Sequence, residues 1–172
     1  MCGHVATLAP KGNPGHDLTL NDANFSLKTQ ADKSIKRDSL HISKFMELGK
    51  GKWEDSVEDL IGLRNQFFSH MKSYDRILSL RCLSKGPGPW EYELVEIPKS
   101  LLEEAQHGEL RIQEKSKQRL SKPGYCDVYA EGRKLKFQLY FDGGGERKLQ
   151  IKKLLKVYCI VHANWKFTIT RE

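Results

Sequence analysis

The chain has 172 residues, 38% of them hydrophobic and 30% charged, with 29 Lys and Arg against 22 Asp and Glu and a formal charge of +7. That length suits one domain with a real core, while no run nears the roughly 20 apolar residues of a bilayer span and no charged-then-apolar leader follows Met1, which excludes an integral membrane protein and argues against secretion. Cys2, Cys82, Cys126 and Cys159 form no CxxC pair, so a zinc knuckle or small disulfide scaffold does not fit, reduced cytoplasmic thiols are expected, and the basic balance favours a polyanionic partner.

In chain order, residues 1–16, rich in Gly, Pro and Lys, read as irregular. Residues 17–20 and 25–30 alternate polar and apolar about Asn21-Asp22-Ala23-Asn24, which predicts a β-hairpin with a four-residue turn. A helix is expected over Ser39–Leu48, stopped by Gly49 and Gly51. Between Asp55 and Tyr74, Val57, Leu60, Ile61, Phe67, Phe68 and Met71 recur at helical spacing, the stripe of a long amphipathic helix. Residues 76–83 and 90–97 read as strands, and Pro98 ends the second and opens a helix over 101–106. Residues 108–124 read as a loop or frayed helix. From Cys126 the pattern is β, over 126–130, 134–141, 147–153, 156–162 and 165–170. The order predicts a mixed α+β or α/β domain over 1–172, with helices packed on one sheet and a β-rich C-terminal part over 126–170.

With Leu20 opposite Phe25, the hairpin would pair Thr19 with Ser26, Leu18 with Leu27 and Asp17 with Lys28. Asp17, Thr19, Ser26 and Lys28 then share a polar face, and Leu18, Leu20, Phe25 and Leu27 a core face. Directly opposed residues have Cβ atoms about 4.5–5.5 Å apart, so carboxylate and ammonium can meet. Metal-assisted phosphodiester hydrolysis wants that pairing: an acid to hold Mg²⁺, and a lysine to orient or deprotonate water and steady charge on phosphate. On spacing alone, a solvated surface Asp–Lys pair is the commoner explanation. Hydrolysis also wants a second acid; Ser26 stands two before Lys28, leaving Glu47, Asp22 or Gln30 to fill the gap.

Gly15-His16-Asp17, Phe25-Ser26-Leu27-Lys28-Thr29-Gln30 and the segment His41 to Gly49 resemble the catalytic core of PD-(D/E)xK restriction endonucleases. In that family a metal-binding Asp begins a hairpin and an acid-x-Lys lies on the neighbouring strand; some branches have Ser-x-Lys, with the acid moved to the following helix. The resemblance implies Asp17 as first metal ligand, Ser26 in the vacated acid position, Lys28 as catalytic lysine and Glu47 as migrated acid and second ligand to Mg²⁺. The likeness takes in residues 92–99, 140–151 and 159–165 and most of 15–167. It implies a restriction-endonuclease-like central mixed β-sheet flanked by helices, and a Mg²⁺-dependent type II enzyme cleaving double-stranded DNA as a homodimer. A cognate DNA methyltransferase and a bacterial or archaeal cytoplasm would accompany it. Three features depart from the family: no Pro precedes Asp17, the Lys28-to-Glu47 spacing is long, and only 16 residues stand before Asp17 where helices are usual, so a shortened or N-terminally truncated relative is expected. The alternatives are a truncated or inactive relative that only binds DNA, and a structure-specific RNA or repair nuclease.

Competing acids rank below Asp17: Glu91, Glu93 and Glu96 have no lysine in phase, Glu146-x-Lys148 sits in a glycine turn, and Asp127 has only Lys136 nearby. Cys2 with His4 is too small a set for a metal, and Asp142-Gly143-Gly144-Gly145 lacks the phosphate-loop pattern. His16 could touch substrate, and His162 reads as a core histidine. Leu135, Phe137, Leu139 and Phe141, and then Leu149 and Ile151, fall on odd positions, so a hairpin of 135–141 with 147–153 would expose Lys136, Gln138, Tyr140, Lys148, Gln150 and Lys152, with Arg147 at its turn. Lysines suit phosphates, and Gln and Arg suit adenine and guanine edges, which makes this face the expected DNA-reading surface; a solvated sheet face is the alternative.

Overall fold

A computed structural model describes residues 5–10, 12–13, 15–32, 35–49, 53, 56–85, 88–117 and 121–168. Cys2 and His4 lie outside them. In order come strands β1 (Ala6–Leu8), β2 (Leu18–Leu20), β3 (Ala23–Gln30) and β4 (Ser39–Glu47), helix α1 (Val57–Met71), strands β5 (Arg76–Ser84) and β6 (Trp90–Glu96), and short helix α2 (Lys99–Glu103). Strands β7 (Glu109–Ile112), β8 (Gly124–Tyr129), β9 (Leu135–Phe141), β10 (Lys148–Leu155) and β11 (Ile160–Phe167) complete the chain. Two compact units result: Met1–Asp38, Met71–Leu101 and Lys156–Glu172 make the first, Ser39–His70 and Leu102–Leu155 the second. The class is mixed α+β, but where one central sheet was expected there are two. No helix among the described residues is long and apolar enough to cross a membrane.

The first unit is a six-stranded sheet in the order β1-β2-β3-β5-β6-β11. Every pairing is antiparallel except β3 with β5. The predicted hairpin forms with a shorter turn. Leu20 pairs with Ala23, leaving Asn21 and Asp22 as a two-residue turn at φ 47° and 65°. Asn and Asp tolerate this left-handed region, and two such residues match the twist of the flanking strands. The register therefore moves by two: Leu18 faces Phe25 and Thr19 faces Asn24. An even shift keeps every side chain on its expected face but takes Asp17 away from its place opposite Lys28. The polar face is also not an outer one. Ser26 is 1% and Gln30 6% exposed, whereas Leu27, expected in the core, is 40% exposed. Parallel β5 extends the inward face with Ile77, Ser79 and Arg81, all fully buried.

The second unit is an antiparallel five-stranded sheet, β4-β10-β9-β8-β7, with α1. Its first strand corrects the helix expected over 39–48. Leu40 and Ile42 are buried and alternate with His41 and Ser43, and β10 pairs Leu154 with Leu40 and Ile151 with Ile42. Pairing with a strand far along the chain outweighs a weak local preference. The same effect draws residues 109–112, expected in a loop, into β7 against β8. The two strands expected at 156–162 and 165–170 are a turn over Lys156–Tyr158 and the single strand β11; residues 169–170 lie outside the described set. The apolar phase of β9 and β10 is as expected, with Phe137, Leu139, Phe141, Leu149 and Ile151 fully buried.

Ser56 caps α1: its Oγ accepts the Asp59 N–H at 3.1 Å and donates to Asp59 Oδ2 at 2.9 Å. The helix buries Leu60, Leu63 and Phe67, while Val57 and Ile61, expected in the stripe, are 42% and 40% exposed. Phe67 meets Phe45 of β4 with ring centroids 5.3 Å apart. Leu60 packs on Gly124 so closely that a Cβ there would stand 2.4 Å from Leu60 Cδ2. Gly124→Ala should accordingly cost about 1–3 kcal/mol in urea unfolding, and Leu60→Ala in the same chain should cost less than in the parent. Strictly additive losses would clear Leu60 as the obstacle.

Candidate active site

Asp17 occupies the exposed bend that leads into β2. Its N–H donates to the Phe25 carbonyl at 2.8 Å, and its Oδ2 accepts the Leu27 N–H at 2.7 Å. The carboxylate thus takes the place of the next ladder acceptor, locking the acid to the Ser26-Leu27-Lys28 stretch. Lys28 lies on the inward face between Ser26 and Gln30, opposite Ser79 of β5. Burial pushes its ammonium below the usual lysine range, against the pull of Asp17. Burial likewise raises the Tyr74 hydroxyl above the usual range, reinforced by the charge of Asp17. The shift in register has not separated Asp17 from Lys28: the two remain electrostatic neighbours. The hydroxyls of Ser26 and Ser79 are buried and have no hydrogen-bond partner among the described residues.

Farther along the same face the polar groups are all engaged. Gln30 Oε1 accepts from Arg81 Nε at 3.0 Å, Arg81 pairs with Glu93, and Lys156 Nζ reaches the other Glu93 oxygen at 3.0 Å. Arg81 Nη2 also donates to the Lys36 carbonyl at 2.5 Å. Burial lowers the Arg81 guanidinium from its usual range, with Glu93 opposing. Glu91 is held by both guanidinium nitrogens of Arg37, and Glu96 by Arg76 and His162. The three acids of β6 are therefore spent on cations, and His162, expected in the core, is an exposed partner of Glu96.

Glu47 ends strand β4 of the second unit, so the helix that was to carry the migrated acid is not there. Its exposed carboxylate is 2.7 Å from Lys44, which holds it below the usual carboxylate range. Among the described residues no group of three or more His, Cys, Asp or Glu is placed to hold a metal ion.

The expected DNA-reading face is also in the second unit. Arg111, Tyr125, Tyr140 and Gln150 lie in register across four strands, with Asp127, Gln138 and Lys152 in the next row. Arg111 stacks 4.0 Å from the Tyr125 centroid and Lys152 Nζ lies 3.3 Å from that of Tyr140. Gln138 is buried and donates to Asp127 Oδ1 at 2.5 Å, while Arg111 takes Oδ2 at 2.8 Å. Lys136 is paired with Glu104 and Lys148 with Glu146, and Gln150 donates to Asp142 at 3.3 Å. Arg147, in the left-handed region at φ 40°, lies 5.0 Å from the Trp53 ring. Sequence reasoning placed Lys136, Gln138 and Tyr140 on this face but not Arg111 or Tyr125 beside them, nor Tyr74 and Ser79, which no motif marks.

The family model described as SmaI, type II site-specific deoxyribonuclease, matches residues 1–167. Over 168 residues the chain is 47% identical to the type II restriction enzyme SmaI of Serratia marcescens, a match covering 97% of this chain and 66% of that enzyme. The chain thus spans about two thirds of that relative's length. No solved structure matches.

Two outcomes follow from the buried charges. Arg81→Leu should destabilise the protein by about 3 kcal/mol by leaving buried Glu93 with Lys156 as its one remaining cation among the described residues, and Arg81→Leu with Glu93→Leu should recover part of that in urea unfolding. For Lys28 the native pKa lies below the unfolded value, so the cost of its charge is full below the native pKa and vanishes as pH rises through the unfolded one. Lys28→Met should raise the melting temperature at pH 7, by an increment that shrinks toward pH 10.5. An increment that grows with pH would reverse the assignment.

Proposed function

This chain belongs to the SmaI family of type II site-specific deoxyribonucleases, and from that membership we propose that it hydrolyses duplex DNA at a specific sequence through a Mg²⁺-dependent PD-(D/E)xK-type site built on Asp17 and Lys28. The observation that carries the reading is local. The acid that begins the hairpin is bonded to the Leu27 amide, one residue from a desolvated lysine that its charge reaches. A solvated surface pair would have neither feature.

Mg²⁺ commonly takes one or two carboxylates and completes its shell with water and substrate phosphate oxygens. Asp17 fits that demand: it is exposed, and its carboxylate is positioned by a backbone amide without a competing ammonium bond among the described residues. Bound there, the ion would polarise the phosphate and acidify a water. Lys28, with its affinity for a proton reduced by burial, is suited to orient or deprotonate the attacking water and to balance charge on phosphorus. Ser26 contributes a buried hydroxyl where the family's second acid commonly stands. Glu47, the second ligand that the resemblance implies, ends a strand of the other unit, where Lys44 holds it. In-line attack would leave 5′-phosphate and 3′-hydroxyl ends.

A homodimer would present one site to each strand of a palindromic target, and a cognate methyltransferase would protect the host's own copies. For the DNA-reading surface, Arg147 and Lys152 are the side chains put forward first; Lys136, Lys148, Gln150 and Gln138 could reach DNA only by giving up Glu104, Glu146, Asp142 and Asp127.

The experiment is digestion of unmethylated genomic DNA. Discrete bands with Mg²⁺, and binding without efficient cutting when Ca²⁺ replaces it, are expected. Asp17→Ala and Lys28→Met should each slow cutting by about 10²–10⁴-fold. Glu47→Ala should do the same only if Glu47 holds the ion. Near-normal cutting by both Asp17→Ala and Lys28→Met would eliminate the site. A smear would indicate a nonspecific nuclease, and retardation without cutting a binding module.

A further inference from the structure

We infer that Lys99 is a substrate-binding residue of the same site, an ammonium that takes the DNA phosphate neighbouring the one to be cleaved; this rests on the reading of Asp17 and Lys28 given above. The backbone brings Lys99 to the end of the six-stranded sheet where Asp17 lies. There Asn24 and Asp75 tie the starts of β3 and β5 together: the Asp75 N–H donates to the Asn24 carbonyl at 2.8 Å, and Asp75 Oδ2 accepts the Asn24 N–H at 2.8 Å. At that same end, β6 finishes with the Ile97 N–H bonded to the Ile77 carbonyl at 2.9 Å, Pro98 follows, and the Leu101 N–H closes a turn onto the Pro98 carbonyl at 3.2 Å. Lys99 is carried by that turn. Its Nζ donates to the Tyr74 carbonyl at 2.7 Å and stands 5.8 Å from the Tyr74 ring, whose hydroxyl feels the charge of Asp17.

Charge and position together mark Lys99 out. Arg37, Arg76, Arg81 and Lys156 each carry a glutamate, and Lys85, which like Lys99 donates to a neutral carbonyl, that of Ala31 at 2.8 Å, does so beyond the far ends of β3 and β5. Lys99 is half-buried and positioned just as firmly, yet its ammonium meets a neutral carbonyl and the face of a phenol, with no carboxylate within ion-pair distance among the described residues. A cation ordered by neutral groups keeps its charge for an incoming anion, whereas a paired one must first lose its partner. At the same end of the sheet as an acid proposed to hold a metal at a phosphate, and across β3 and β5 from it, that anion is an adjoining phosphate of the same strand.

A purely structural clamp on the Tyr74 carbonyl would need a donor but no charge, which supplies the test. Affinity for duplex fragments of unmethylated genomic DNA is measured without divalent metal across a range of NaCl concentrations. Lys99→Gln, which keeps a donor and drops the charge, should weaken binding and flatten the slope of log affinity against log salt by about 0.9. Lys99→Arg should keep most of the slope. In the unsubstituted chain, saturating duplex should slow acetylation of Lys99 more than that of Lys85, a readout that needs no variant to fold. An unchanged slope in Lys99→Gln, equal losses in Lys99→Gln and Lys99→Arg, or undiminished acetylation would each overturn the assignment. If those results appear while Lys28→Met still abolishes cutting, only the role of Lys99 falls. If the unsubstituted chain binds no duplex, the proposed function falls and Lys99 with it.

Discussion

The six-stranded sheet is organised around one buried charge pair, Arg81 with Glu93, on the adjacent antiparallel strands β5 and β6. Two ions removed from water cost more than their attraction returns unless their remaining hydrogen-bonding groups are answered. Here Gln30, the Lys36 carbonyl and Lys156 answer them. The pair also sets phase. Because Arg81 turns inward, Ser79 and Ile77 must do so, and the parallel partner β3 then turns Gln30, Lys28 and Ser26 to the same side. The desolvation that lowers the proton affinity of Lys28 is thus a consequence of where a guanidinium two residues along the next strand found its carboxylate.

How much of this was legible in the sequence depended on the distance over which each feature is decided. The hairpin and the faces of its side chains follow from period-two alternation. Its register does not, because that rests on whether Asn21 and Asp22 alone, or two more residues, make the turn. Strand β4 was misread because its buried residues, Leu40, Ile42, Phe45 and Leu48, mix spacings of two and three, and the strand that decides the matter lies more than a hundred positions later. Asp17 and Lys28 could be singled out by residue type and by the likeness to a nuclease family, while composition said only that a polyanion was a fitting partner. Tyr74, Ser79 and Lys99 were out of reach because they join the site through the parallel β3–β5 pairing and the return of β6. Gln138 was placed on its correct face, but the acid opposite it on β8 had already claimed its amide.

The two units use their charges differently. In the first, glutamates on β6 absorb the arginines, so the exposed acid of the hairpin and the lysines near it stand apart from a largely neutralised background. In the second, Arg111 both stacks on Tyr125 and pairs with Asp127, while Lys152 lies against the Tyr140 ring. A ring holds such a lysine in place without cancelling its charge, which is a different way of keeping positive potential on a surface than leaving lysines free in solvent.

The six-stranded sheet is assembled from three separated stretches of chain, and its last strand, β11, comes after the entire second unit. Between β3 and its parallel neighbour β5 the chain must make strand β4 and helix α1 of the other unit. Loops of that length close slowly, and long-range parallel pairing is among the later events in folding. A chain emerging from the ribosome would therefore first carry Asp17 and Lys28 on a bare hairpin, until β5 follows to bury the lysine and β6 to neutralise the Arg81 that β5 brings. The lowered proton affinity of Lys28 is acquired only when that parallel pairing forms, so the character of the hairpin depends on a strand the chain must travel through the other unit to reach.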